Sequence, residues 1–523
     1  MKLTLSKKRI HIILAVLLFL FMVGSRLYDL NGAGGMFDEH NYLRLAVNTY
    51  EGVTEMNGSY ERWVMFKEHP AVGKYLHALF FAPFIFSMSE YERKVTIAGG
   101  LKPYRLPGEL YNPGRYSSVL LAGLTVVLAY LFCAYFFSQS TGILASLILI
   151  LLPNFVQFHK TVSLDAPTSF FFTAGAVLFA FAMKFDTKKW WVWLGVVSGL
   201  ALATKFNLGL LFVFYCVVYL LLWKGPKMIK ERKLNWHWGL FAVPFIALLV
   251  LYITWPFLWP APVERMMFSV GHWEGGPGIE PWFGAMEEQG PKLHYFLVYF
   301  LFSTPLLVLL LWLASLHREW KKRTHWGIFV LLWFATPFLW SFMGQKTDGM
   351  RYLTMVYPPL AILVALGLKH VCKIPKRVVY GGAILLVYLL ALNVWMHPYQ
   401  LDYYNILVGG PRGVQEGNKL EFGWFGEGKK EAVEWINENA PPNVNVGAKW
   451  DPQHDFGGWR QDIQAFDLVH VPFEGDPTYL MMNHRYKQYV EAKDVQSIDL
   501  STYRLVHSIK AGNGDIGWIY QRI

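Results

Sequence analysis

The chain has 523 residues; 54% are hydrophobic, 16% are charged and the mean hydropathy is +0.28. Soluble proteins carry about a quarter charged residues, so this composition excludes an ordinary soluble enzyme, and it excludes disorder, which needs low hydrophobicity. The net charge of +11 suggests nucleic acid only until the charges are located along the chain.

The first element is an apolar run, Ile10–Tyr28, behind Lys7-Lys8-Arg9. It lacks a small-residue cleavage site and reads as a retained membrane anchor. A spanning helix needs about 20 mostly apolar residues. Ten further runs qualify, at 115–137, 141–158, 165–184, 190–204, 206–223, 237–259, 294–316, 325–343, 352–370 and 378–396, making about eleven spans. Cys133 and Cys216 lie in these runs and Cys372 in a basic loop; without a C-x-x-C pair they predict neither a disulfide framework nor a zinc knuckle.

The segment 29–114 is too long for a passive connection. After Gly-rich 31–35 it carries Asp38-Glu39, followed by Leu43, Ala46, Val47 and Tyr50 at helical spacing. These acids read either as a helix N-cap with acid in the first turn or as a carboxylate base facing an acceptor hydroxyl. Next comes Phe66-Lys-Glu-His-Pro-Ala-Val-Gly-Lys74, then a short apolar stretch broken by Pro83. Both stretches predict interfacial helices. His69 before Pro70 fits a turn, and Lys74 fits a snorkelling lysine.

Asp165, before Pro167, opens a span, where it is either a cap or a functional carboxylate, since ionisable groups beside lipid are costly. Lys205, Lys346 and Arg351 lie at helix mouths, with Tyr352 next in sequence and Arg265 a weaker fourth cation. They read as snorkelling residues or as holders of an anion, and a lipid phosphate fits that anion.

The inner connections at 184–189, 224–235, 317–324 and 369–377 are each rich in Lys and Arg, and only the one at 138–140 lacks a cation. By the positive-inside rule the N-terminus is then cytoplasmic, while 29–114 and 397–523 lie outside. The basic excess is a topology signal and implies no nucleic acid partner. The tail predicts a small extracytoplasmic α/β domain: a helix over Glu427–Asn439, strands at Val444–Ala448, Leu468–Val471 and Tyr479–Met482, and a terminal hairpin of Tyr503–Ile509 and Gly517–Arg522. Its Trp424, Trp450 and Trp459 are open to either sugar stacking or core packing. No P-loop, G-x-S-x-G or H-E-x-x-H occurs.

The order Asp38-Glu39, His69-Pro70-x-x-Gly73-Lys74, Asp165 in Leu-Asp-x-Pro, Thr204-Lys205, and Arg351-Tyr352 ahead of Tyr-Pro-Pro resembles the membrane-embedded GT-C type of polyprenyl-phosphate-sugar-dependent glycosyltransferases. Within that type it is most similar to prokaryotic members of the protein O-mannosyltransferase and aminoarabinose-transferase family, over about residues 1–400. The resemblance implies a mainly α polytopic membrane protein of the plasma membrane: a catalytic transmembrane domain at 1–396 and the outer domain at 397–523. It implies that Asp38 is the catalytic carboxylate, assisted by Glu39 and Asp165. His69, Lys74, Lys205, Arg265, Lys346, Arg351 and Tyr352 would bind substrate, although Ala71 replaces the family's second proline in the His-Pro element. The donor would be a polyprenyl-phosphate sugar, mannose-like, moved by inverting displacement with no cofactor required. Protein, lipid or glycan would be the acceptor and membrane lipids the surroundings. The alternatives are a metal-assisted, oligosaccharyltransferase-like enzyme, with Asp38, Glu39 and Asp165 as oxygen ligands, and a lipid-linked-sugar transporter.

Overall fold

The computed structural model describes residues 5–55, 63–98, 111–224, 236–271, 279–288, 294–342, 348–450, 458–468, 476–485 and 499–523. It is mainly helical, with a small sheet near the C-terminus. Among the described residues seven helices are long and apolar enough to cross a membrane, or eight if one bent pair is a single span. Each of the eleven predicted runs is helical, but several are shorter or more broken than a straight span. Helix Gln139–Leu151 stops at Leu152, whose extended backbone precedes Pro153, the first residue of helix Pro153–Phe158. Proline lacks the N–H that would continue the ladder, so the break falls there. The predicted 294–316 span is two helices, Tyr295–Ser303 and Leu306–Lys322, bent by 118° at Thr304-Pro305.

The described part of the first long connection includes the helices Glu39–Thr54 and Val72–Phe86, each with an apolar face, followed by the polar helix Glu90–Ala98. Leu43, Ala46 and Val47 of the first pack against Ala78, Phe81 and Ile85 of the second in a cluster that also takes Val162 and Leu164. Both expected helices form, and they pack against Val162 and Leu164, just before helix Asp165–Phe185.

The sheet has strand order β4-β3-β5-β7-β6, with β3 Asn445–Lys449, β4 Gln464–Asp467, β5 Tyr479–Asn483, β6 Tyr503–Ala511 and β7 Gly514–Arg522. The β3 strand pairs in parallel with β4 and β5; β7 runs antiparallel to β5 and β6. Helix Lys429–Asn439 turns Ala432, Val433 and Ile436 inward. Strand β4 ends at Asp467 and Leu468 is a turn residue; the rest of the strand expected at Leu468–Val471, residues 469–471, lies outside the described residues. A hairpin of β1 Ile279–Trp282 and β2 Ala285–Glu288 bonds to the tail through Phe283 N–H and Lys419 O, 2.8 Å apart. The main buried apolar cluster runs from Leu18 through the helices into the sheet at Ile519.

Candidate functional site

A cavity of about 340 Å³ opens where the helix ends, the first connection and the tail meet. Asp38, His69, Lys74, Lys205, Arg351 and Tyr352 all line it. Asp38 precedes helix Glu39–Thr54 but makes no side-chain cap bond, so its carboxylate is turned to the cavity and not spent on the helix start. It pairs with Arg351 Nη2.

Lys205 sits in a backbone break. Its extended conformation, φ −155° and ψ 136°, separates helix Lys188–Leu202 from the turn Phe206–Gly209. The break turns the side chain toward the cavity, where its ammonium lies 4.4 Å from the Tyr352 ring centroid. Arg351 follows the Asp348–Met350 turn, which Tyr295 Oη steadies by accepting Gly349 N–H at 2.9 Å.

Asp165 lies behind these cations, fully buried and outside the cavity lining. Its Oδ2 accepts from Arg351 Nε at 3.1 Å and from Ser163 Oγ at 2.8 Å, and its Oδ1 is 3.5 Å from Lys205 Nζ. One carboxylate therefore sets the spacing of both cations. It is the first residue of helix Asp165–Phe185, with Leu164 as the cap, so the simple capping reading does not describe it.

Glu39 faces away from the cavity. Its Oε1 and Oε2 take Arg115 Nε at 2.7 Å and Nη2 at 2.5 Å, and also Val162 N–H and Met36 N–H, each at 2.9 Å. Both side chains are buried, so the pair pins the first connection to helix Asn112–Phe136. Arg265 is held elsewhere, donating to Phe257 O at 2.8 Å beside the Phe257 ring, and does not line the cavity. Lys346 lies outside the described residues.

The cavity also has walls that sequence reasoning left out: Asn41, Tyr42, Arg44, Asp348, Phe425 and Arg485, with Glu68 beside His69. The Arg351 guanidinium carbon lies 4.7 Å from the Phe425 ring centroid. Phe425 O accepts Phe37 N–H at 2.9 Å, which ties the tail to the residue before Asp38. Of the tail tryptophans, Trp424 joins the cavity wall, Trp450 is buried beneath the sheet and Trp459 is half-buried. The loop presenting Trp424 and Phe425 is braced by buried acids. Asp402 accepts Gly423 N–H at 2.7 Å and Glu427 accepts Phe425 N–H at 2.8 Å. Burial pushes the Glu427 carboxyl up to about 7.

Lys74 is buried and donates to His69 O at 2.7 Å. Burial lowers its pKa to about 7, against the opposing pull of Glu68. The cavity thus sets the partly accessible Asp38 carboxylate beside three nearly buried cationic side chains, Lys74, Lys205 and Arg351, at the end of an apolar bundle, with Glu68, Asp348, Arg44 and Arg485 also in its wall. Such an arrangement can bind an oxyanion and accept a proton beside it.

Residues 104–255 match the family model described as dolichyl-phosphate-mannose-protein mannosyltransferase. No curated protein matches the chain by sequence. Similar solved structures include ArnT from Cupriavidus metallidurans bound to undecaprenyl phosphate, at 14% identity, covering 100% of this chain and 99% of that one, with a TM-score of 0.47. The archaeal oligosaccharyltransferase AglB from Archaeoglobus fulgidus, in complex with an inhibitory peptide and a dolichol-phosphate, is 13% identical over 84% of this chain and 59% of that one, with a TM-score of 0.45. The S. cerevisiae protein O-mannosyltransferase Pmt1-Pmt2 complex bound to the sugar donor is 21% identical over 52% of this chain and 34% of that one, with a TM-score of 0.34. Residues 104–255, which carry Arg115, Asp165 and Lys205, are thus similar to the dolichyl-phosphate-mannose-protein mannosyltransferase family, the type that the sequence resembles.

Proposed function

We propose that this protein is a membrane glycosyltransferase that moves a mannose-like hexose from a polyprenyl-monophosphate carrier to an acceptor hydroxyl at the outer membrane face. The observation that carries the reading is the meeting of Asp38, Lys205 and Arg351, from three distant parts of the chain, at one cavity. The matched family supports a polyprenyl-linked donor. The basic connections at the opposite ends of the helices support a cytoplasmic N-terminus and an outer tail, with 397–523 as the outer domain that walls the site.

In this mechanism Arg351, Lys205 and Lys74 receive the donor phosphate. Donor phosphate competes with Asp38 for Arg351 and leaves the carboxylate free to act. Asp38 takes the acceptor proton as the hydroxyl oxygen bonds to the anomeric carbon. The bond from that carbon to the phosphate oxygen breaks, its electron pair goes to the phosphate, and polyprenyl phosphate leaves. The anomeric centre inverts. Cations around the departing oxyanion stabilise the charge that grows there. Asp165 acts as a positioning residue through Arg351 and Lys205, and Glu39 through Arg115.

The direct test is incubation of the purified protein with radiolabelled polyprenyl-phosphate mannose and crude membranes, followed by identification of the labelled product. Transfer to an acceptor, unchanged by a chelator, is the expected result. No transfer from any polyprenyl-phosphate sugar rejects the proposal, and activity lost on chelation and restored by a divalent cation rejects its metal-free mechanism.

The Lys74 pKa adds a pH signature. With a pKa of about 7, Lys74 is cationic at lower pH and neutral at higher pH. Donor affinity should therefore fall as pH rises through neutrality, and Lys74→Met should flatten that dependence. Donor Kd measured across this range checks it; a slope that survives in the variant assigns the titration to another group.

A further inference from the structure

We propose that the end of the helix bundle opposite the Asp38 cavity carries a second binding site, for a phosphate-bearing anion. Helix Asn112–Phe136 defines the two ends: Arg115 lies beside Glu39 at the first, and Phe136 reaches the second. There a cavity of about 320 Å³ is lined by Ser138, Thr141, Arg318, Lys322, Lys369 and His370. It sits on 138–140, the one inner connection without a cation of its own. Lys369 supplies one from another helix. Its Nζ donates to Ser138 Oγ at 3.0 Å, Ser140 Oγ at 2.7 Å and Thr141 Oγ1 at 2.7 Å.

The charge at this cavity is largely uncompensated. Among the described residues neither Lys369 nor Lys322 forms an ion pair. The nearby acid, Glu319, is buried and already engaged by Arg318 and by Thr324 Oγ1, the latter at 2.5 Å. Helix Gln139–Leu151 starts at the same place, with Ser138 accepting Thr141 N–H at 3.2 Å, so the positive end of its dipole adds to the field. Ammonium groups, hydroxyls and a helix start match the several acceptor oxygens of a phosphate better than a single-point anion. Phe137 and Leu366 complete the lining with apolar surface. That pairing suits a phospholipid headgroup with its first methylenes, and basic pockets between helices at the cytoplasmic side hold such headgroups. Soluble phosphate shares the chemistry and is the other source.

Full-length protein in phosphatidylcholine nanodiscs, with or without phosphatidylglycerol or inorganic phosphate, distinguishes the two sources. Lipid retained on the protein is read by native mass spectrometry and thermal unfolding is followed in parallel. Phosphatidylglycerol should be retained over phosphatidylcholine. Lys322→Gln, at an exposed position, should keep the unfolding midpoint in phosphatidylcholine and reduce retention about fivefold. Lys369→Gln should reduce it further, whereas Lys376→Gln/Arg377→Gln, outside the cavity, should not. Stabilisation by inorganic phosphate alone, lost in Lys322→Gln, assigns the site to a soluble phosphate. Failure of both probes, or equal loss in the Lys376→Gln/Arg377→Gln control, overturns the proposal.

Discussion

Asp38→Asn should lower turnover by about 10²- to 10⁴-fold at saturating donor, the usual contribution of a positioned general base. Donor binding should be kept or tightened. Asp38 pairs with Arg351, so removing its charge releases a cation to the donor phosphate. The side chain makes no helix-capping bond, so the fold should not depend on it. Turnover at saturating donor against Kd for the polyprenyl phosphate separates the two effects. Weakened binding with turnover preserved would show that Asp38 only organises the phosphate site.

Much of this architecture was legible because the membrane imposes long apolar runs that composition reveals. What hydropathy cannot register is direction. The 294–316 run satisfies a spanning window, yet the chain turns by 118° at Thr304-Pro305, because proline removes a ladder hydrogen bond without lowering the apolar average. Lys205 was legible as a cation where topology disfavours one. Asp348, Phe425 and Arg485 were not, because each belongs to a turn, loop or domain whose docking against the bundle has no local signal. The tail's helix and hairpin could be read from pattern and turn residues, whereas the β1–β2 hairpin lies in a segment with no alternation to mark it.

Asp38 and Glu39 set a sharper limit on what adjacency can reveal. Successive helical residues point about 100° apart, so one of two neighbouring acids can face a cavity while the next is buried. Their sequence does not say which. The deciding partner is Arg115, far along the chain, whose guanidinium is shaped to take both oxygens of one carboxylate.

Glu39→Ala should therefore destabilise the protein by about 3–5 kcal/mol, the cost of leaving a buried charge without its partner. Arg115 would keep bonds to Leu30 O at 2.9 Å, Asn31 Oδ1 at 3.0 Å and Gly34 O at 2.6 Å, but none supplies negative charge. Val162 N–H and Met36 N–H would also lose their acceptor. Replacing both partners, Glu39→Leu with Arg115→Met, should cost less than either single change, because no isolated charge remains. Thermal unfolding of the full chain in detergent measures this, beside Asp38→Asn, whose midpoint should stay near that of the parent. If Glu39→Ala unfolds like the parent but cannot turn over, Glu39 is the chemical carboxylate and Asp38 its support. If it unfolds early while Asp38→Asn is stable and inactive, the division follows burial: the accessible acid does the chemistry and the buried one holds the loop that presents it.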